Sequence, residues 1–161
     1  MTIRPRRDAD LDRCVDALRL VHEADAYPLN WPDNPRAWLT PADAAWVAEA
    51  EDGTIVGHVA VRENELCRLF VIPAARRGTQ ARAAESQPGG GVGRALVEEV
   101  KAWAAARGRR LTLNVVDEQR SAAVAFYEST GWRFTHFSDA DWTGPDGRPV
   151  RLRHYVTGPD A

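Results

Sequence analysis

ELCRLFV (residues 65–71), PGGGVG (88–93) and RALVEEVKAWAAARG (94–108) are the stretches whose reading decides the fold. The first predicts a β-strand, with Glu65, Cys67, Leu69 and Val71 on one face and Leu66, Arg68 and Phe70 on the other. The last predicts a helix in which Val92, Leu96, Val100, Trp103 and Ala104 share a face and Gly108 marks the stop. Glycines directly before a helix let a ligand approach the backbone closely, and the helix's first free N–H groups point at the same place. Strand, glycine loop and helix together form an anion site suited to phosphate. Two nucleotide patterns fail here. No Gly-Lys pair exists for a P-loop, and Leu96 stands where a dinucleotide fingerprint needs its third glycine. A plain flexible linker is the competing reading of the glycine run.

Outward from this unit, LTLNVV (111–116) predicts a strand parallel to the first, because a β-α-β crossover joins them. Ser121 is placed to cap a helix reaching about Thr130, which Gly131 ends. Residues 132–137 and 150–156 predict two last strands around the turn TGPDGRP. Toward the N-terminus, residues 45–50 and 54–61 predict a hairpin turning at Asp52 and Gly53. Residues 2–4 predict a first strand. Asp8 and Asp10 are cap candidates for a helix whose apolar face is Leu11, Cys14, Val15, Leu18 and Val21. Residues 24–41 (ADAYPLNWPDNPRAWLTP) combine four prolines with Tyr27, Trp31 and Trp38, which predicts a stiff aromatic loop. The order is β-α-β-β-β-loop-α-β-α-β-β. It predicts one α/β domain over residues 1–161, with a mixed, mostly antiparallel central sheet and helices on both faces.

A chain of 161 residues, 44% hydrophobic and 27% charged, fits a single globular domain. A formal charge of −2 argues against a nucleic-acid partner held by bulk charge. No apolar run is long enough for a membrane helix, and MTIRPRRDAD lacks the apolar core of a secretory signal. Cys14 and Cys67 match no disulfide framework, so a cytoplasmic location is the expectation. His22, His58, His136 and His154 fall in no metal-ligand spacing, and no metal is expected.

The run LFVIPAARRG, continued by GGGVGRALVEEVKAWA, is similar to the acyl-CoA binding motif of the GCN5-related N-acetyltransferases, the GNAT family. VAFYESTGWRF resembles that family's closing motif, and the element order fits from Thr2 to Val156. The resemblance implies the GNAT fold, acetyl-CoA as co-substrate and an amine as acceptor. It implies a diphosphate held by the amides of Gly89, Gly90, Gly91, Val92, Gly93 and Arg94. It lays the pantetheine arm along Leu69, Phe70 and Val71, with the Val71 amide aimed at the thioester carbonyl. Two departures stand out. Pro88 occupies the first position of the glycine motif, and Gly91 follows Pro73 by 18 residues, so an insertion lies between Arg76 and Gly90. Arg120 stands where the family has an Asn. The insertion's Arg76, Arg77 and Arg82 read either as partners of the coenzyme's 3′-phosphate or as a solvated flap. A catalytically inactive CoA-binding or sensor domain of the same fold is the alternative to an enzyme.

Acetyl transfer needs a base for an amine with a pKa of about 10 and a proton donor for the departing thiolate. The resemblance points to Tyr127 as the acid and Glu65 as the base, acting through a water. Periodicity sets Glu65 on the face of Val71, and Glu63, in a turn, is the weaker candidate. His58 lies mid-strand and reads as a hydrogen-bonded core histidine; His22 suits a helix C-terminus. Tyr27, Trp31 and Trp38 could wall the acceptor pocket or cover the core. With Glu23, Asp25 and Asp33 among them, the expected acceptor is a cationic amine. A homodimer is the common assembly for a domain of this kind.

Overall fold

The run IVGHVAVR forms an inner strand of the sheet, buried at seven of its eight positions, a burden that only apolar residues and one paired histidine can carry. In the computed structural model, residues 1–76, 91–117 and 122–157 are described. Chain order is β1 (Thr2–Pro5), α1 (Leu11–Asp25), α2 (Pro35–Leu39), β2 (Ala44–Glu49), β3 (Ile55–Arg62), β4 (Glu65–Val71), α3 (Val92–Ala106), β5 (Thr112–Val116), α4 (Ala122–Ser129), β6 (Trp132–Thr143) and β7 (Pro149–Thr157). The seven strands form one sheet in the order β1-β2-β3-β4-β5-β7-β6. Every neighbouring pair is antiparallel except β4 and β5. The predicted α/β class and its mostly antiparallel sheet are therefore present.

The expected apolar face of α1 is the buried one: Leu11, Cys14, Val15, Leu18 and Val21 all enter the core. From α3, the expected Leu96, Val100 and Ala104 do the same, joined by Val97, which the reading omits, while the expected Val92 and Trp103 are only partly buried. Gly57 is where α3 comes closest, since a Cβ there would lie 2.9 Å from Leu96 Cδ1 and 3.1 Å from Val92 Cγ1. That contact places α3 on the face of Gly57. The alternate residue His58 points to the opposite face, where Arg6 and the end of α2 meet it.

Four expectations are corrected. Asp10 does not cap α1 with its side chain; its carboxylate is 1% exposed and accepts from Arg4, Arg13 and the Arg7 N–H instead. Asp8 lies in a short 3-10 turn whose cap is Arg7. The aromatic segment is not all loop: Pro35 opens α2, and the Asn34 side chain accepts from the Ala37 N–H at 3.1 Å. Proline's fixed φ suits the first turn of a helix, where its missing N–H costs nothing. Strand β6 runs to Thr143, beyond the residue expected to end it. Its polar SDADW tail survives as strand because it is exposed and pairs along β7, Asp139 opposite Arg151.

The fourth correction matters most for function. The β3–β4 ladder pairs His58 with Phe70 and Ala60 with Cys67, so one extra residue is taken up in β4. Arg68 absorbs it with φ +53°, a left-handed conformation that makes a β-bulge. Side-chain parity inverts there. Glu65 and Cys67 share a face with Phe70, whereas Val71 joins Leu66 on the α3 side. Glu65 and Val71 are on opposite faces, not on one.

Candidate active site

Beyond the pair Glu65 and Thr112, β4 and β5 have no register, and the strands part. On the parting edge, Ile72 donates its N–H to Val56 O across β3 at 2.9 Å. Alternation along the strand then turns the Val71 N–H the other way, into the opening. The Val71 carbonyl faces the same gap and accepts from Arg76 Nε (3.0 Å) and Nη2 (2.8 Å). Arg76 also pairs with Asp25. Helix α3 starts at this edge. Gly91 is its N-cap with no side-chain cap bond, and the first amide bonded along the helix is Ala95, to Gly91 O. The earlier N–H groups of Val92, Gly93 and Arg94 are the orphan donors of a 15-residue helix. A Cβ on Gly93 would lie 3.6 Å from Phe126 and 3.7 Å from Val71, so helix start and strand end are adjacent. Of the predicted anion cradle, Gly91, Val92, Gly93 and Arg94 are here; Gly89 and Gly90 lie outside the described residues, as do Arg77, Arg82, Pro88, Arg120 and Ser121.

Glu65 is half-buried on the other face. Asn114 of β5 donates to its Oε2 at 2.9 Å. Burial pushes the Glu65 carboxyl above its ordinary range, against the opposing pull of Arg68, Arg62 and the Asn114 bond. Cys67, next on that face, is held as a thiol, pushed up to about 11 by burial. Tyr127 belongs to a helix on the α3 side, where its ring packs against Trp132 and Tyr155. Burial drives its pKa well above the ordinary phenol value, and Tyr27 and Cys67 lie close enough to add to the rise. The Tyr127 hydroxyl has no hydrogen-bond partner among the described residues.

The aromatic segment divides. Tyr27 and Trp38 meet edge to face, centroids 6.3 Å apart, and border this cluster. Leu69, half-buried, follows the bulge; the Phe70 ring is buried in a stack on His58, 5.1 Å away. Trp31 instead turns to α1, beside His22 (5.2 Å) and under Arg19 (5.0 Å). The expected carboxylate lining is not formed by these residues. Glu23, Asp25 and Asp33 are exposed, and Asp25 is engaged by Arg76. A guanidinium, Arg68 Cζ, already covers the Trp38 ring at 3.8 Å. Trp31 and Trp38 are thus each faced by one of the protein's own cations.

His58 is the core histidine its strand position predicts, fully buried. Its Nδ1 donates to Arg68 O (2.8 Å), and Arg6 donates to Nε2 (3.1 Å), which fixes a neutral ring and holds the bulge carbonyl. The sequence reading gives Arg76 a 3′-phosphate or a solvated flap, whereas here it holds the Val71 carbonyl and Asp25; Asn114 and Arg68 it passes over. A signal existed for these two: each is a polar residue inside an otherwise apolar strand, LTLNVV and ELCRLFV.

No curated protein matches this chain. Among solved structures, it is similar to apo-form YjaB from Escherichia coli, at 27% identity and TM-score 0.62, over 96% of this chain and 95% of that one. A ribosomal-protein-alanine N-acetyltransferase from Brucella melitensis shares the fold at 22% identity and TM-score 0.70, covering 98% and 99% of the two chains. So does a point mutant of SpeG, a spermidine N-acetyltransferase from Vibrio cholerae, at 13% identity and TM-score 0.68, covering 98% and 94%. No described helix is long and apolar enough to cross a membrane. The model of the acetyltransferase (GNAT) family matches residues 11–132, most of the chain and all of the parted-strand site, and the protein belongs to that family of acyltransferases.

Proposed function

We propose that this enzyme moves the acetyl group of acetyl-CoA to a primary amine by direct attack, within the opening between β4 and β5. The observation that carries the proposal is that β4 and β5 part beyond Glu65 and Thr112, next to the uncapped start of α3, with Gly93 packed against Val71. The residues present fit acetyl-CoA. A sheet edge left open by parted strands can pair with an extended amide-bearing arm. Helix amides without a cap suit a diphosphate. When bound, the co-substrate supplies an activated acetyl thioester.

The chain's own groups then have distinct work. The Val71 N–H donates toward the thioester oxygen, where negative charge develops on attack. Leu69 and Phe70 contribute backbone along the arm; Gly91 to Arg94 hold the diphosphate, a role the amides of Gly89 and Gly90, outside the described residues, share in this proposal. Glu65, its basicity raised by burial, accepts the amine's proton through a water. The Tyr127 hydroxyl keeps its proton at neutral pH and donates it to the departing sulfur. Cys67 stays a neutral thiol, a poor nucleophile, which favours direct transfer over an acetyl-cysteine step. Tyr27 and Trp38 border the acceptor side, and Trp31 supports that segment from α1.

The test is release of free thiol from acetyl-CoA with a panel of primary amines. Release that depends on the amine supports the proposal; binding of acetyl-CoA with no release for any acceptor class counts against it.

A further inference from the structure

The β4 bulge presents a cation that the acetyl-transfer chemistry does not use. Arg68 sits at φ +53°, so its side chain leaves the strand at the point where parity inverts. Its Cζ stacks 3.8 Å over Trp38, and Nε donates to Trp38 O at 3.2 Å. These two contacts fix the plane of the guanidinium. His58 fixes its backbone from below, through the Arg68 carbonyl. The two Nη groups have no hydrogen-bond partner among the described residues, and no described carboxylate lies within ion-pair distance. Arg4, Arg13, Arg36, Arg76, Arg148 and Arg153, by contrast, all pair with carboxylates. Stacked on Trp38 and held by its Nε bond, the guanidinium offers its open Nη fork to an anion in one fixed plane.

Its position says what meets it. Arg68 is close enough to Glu65, Cys67 and Tyr27 for its charge to bear on all three. Across this face, Asn30 Nδ2 donates to Thr143 O at 2.8 Å. Leu29 lies 3.6 Å from where a Cβ on Gly144 would be, so the segment before α2 bridges to the β6–β7 hairpin. A bridged face suits a small acceptor better than a folded protein's terminus.

We infer that Arg68, held flat on Trp38 at the β4 bulge, is a specificity-determining residue that receives the carboxylate of a small amino-acid-like acceptor, an amine bearing an oxyanion a few bonds away. The inference rests on the acyl-transfer reading above. Glu65 and Arg68 divide the ends of a zwitterion, one taking the proton of the ammonium and the other holding the carboxylate. The fork of Nη donors matches a carboxylate bidentately.

The experiment uses matched pairs, each an amino acid and its carboxamide, so that the amine is kept and only the charge is removed. Calorimetry with CoA present measures binding of each pair to the wild type, R68Q and R68K. The acid is expected to bind about 10-fold more tightly than the amide to wild type. R68Q is expected to lose that preference and R68K to keep part of it. Equal binding of acid and amide to wild type, or a preference unchanged in R68Q, overturns the assignment. So does tighter binding of an acidic peptide than of any free amino acid, which would name a protein terminus as acceptor. CoA binding and the melting temperature of R68Q establish that the variant is folded; if it is not, R68K carries the comparison. Thiol release with the same pairs is read separately. For wild type, the acid's advantage should lie in KM more than in kcat. Binding preference without release would fault the acyl-transfer reading while leaving Arg68 its carboxylate.

Discussion

Glu65 is a carboxylate that burial pushes toward its neutral form while Asn114 and two arginines pull it back. The balance leaves a base stronger than an exposed glutamate. Its rate contribution should appear as pH rises through a value above the ordinary carboxylate range, because only the ionised form accepts a proton. Glu65→Gln removes that limb. Its rate should fall about 10²-fold at neutral pH and recover toward about pH 10, where the acceptor carries its own free amine; a pH–rate profile of kcat/KM checks this, and an unchanged profile removes Glu65 from the mechanism. Tyr127→Phe deletes the proposed proton donor. It should lower kcat by about 10²-fold with acetyl-CoA affinity held, as measured by steady-state kinetics beside calorimetry. Glu65, Tyr127 and Val71 were all legible as candidates, because the family motif ties each to a place in the chain. Arg68 and Asn114 were not, since their meaning depends on which side of the sheet each faces. A single extra residue in β4 sets that parity, and an arginine at positive φ gives none of the warning that a glycine would.

Strand β4 and helix α3 act as one unit. Their junction is tight: Gly57 has no room for a side chain under Leu96 and Val92. Gly57→Val should cost about 1–3 kcal/mol by overpacking and displace the start of α3. Thermal unfolding should record the first effect, and a weaker calorimetric affinity for CoA the second; full affinity would show that the helix start does not hold the coenzyme. Period-2 alternation gave the bounds of β4 outright, and the 3.6-residue period gave the buried face of α3. Alternation could not foresee the tail of β6. Its SDAD residues carry little strand preference and are held by pairing with β7. The short α2 was hidden for a related reason, since a segment dense in proline reads as loop until one proline falls at a helix start.

Across the whole molecule, two buried polar groups tie the N-terminal strand to the sheet. Asp10 holds Arg4, Arg13 and the Arg7 N–H, and its carboxyl is lowered far below the usual range, chiefly by its hydrogen bond from Arg4. Asp10→Ala leaves these donors unpaired and should destabilise the fold by about 3 kcal/mol in chemical denaturation. His58 is pushed down to about 4 by burial, so the native state keeps it neutral while the unfolded chain protonates near pH 6.5. The unfolded state thus binds the extra proton, and stability should fall as pH drops from about 6.5 to 4. His58→Gln should flatten that part of the pH–stability curve. The global α/β order was readable because each strand and helix carries its own period. The parting of β4 and β5 was not, because it is a property of two strands separated by α3 and the insertion. Acetyl transfer in this fold therefore depends on where the coenzyme lies. Titrating CoA into isotope-labelled protein and following backbone amides by NMR tests this most directly. Saturable shifts are predicted at Val71, Val92, Gly93 and Arg94; saturable binding that leaves those four unmoved, or no binding at all, would contradict it.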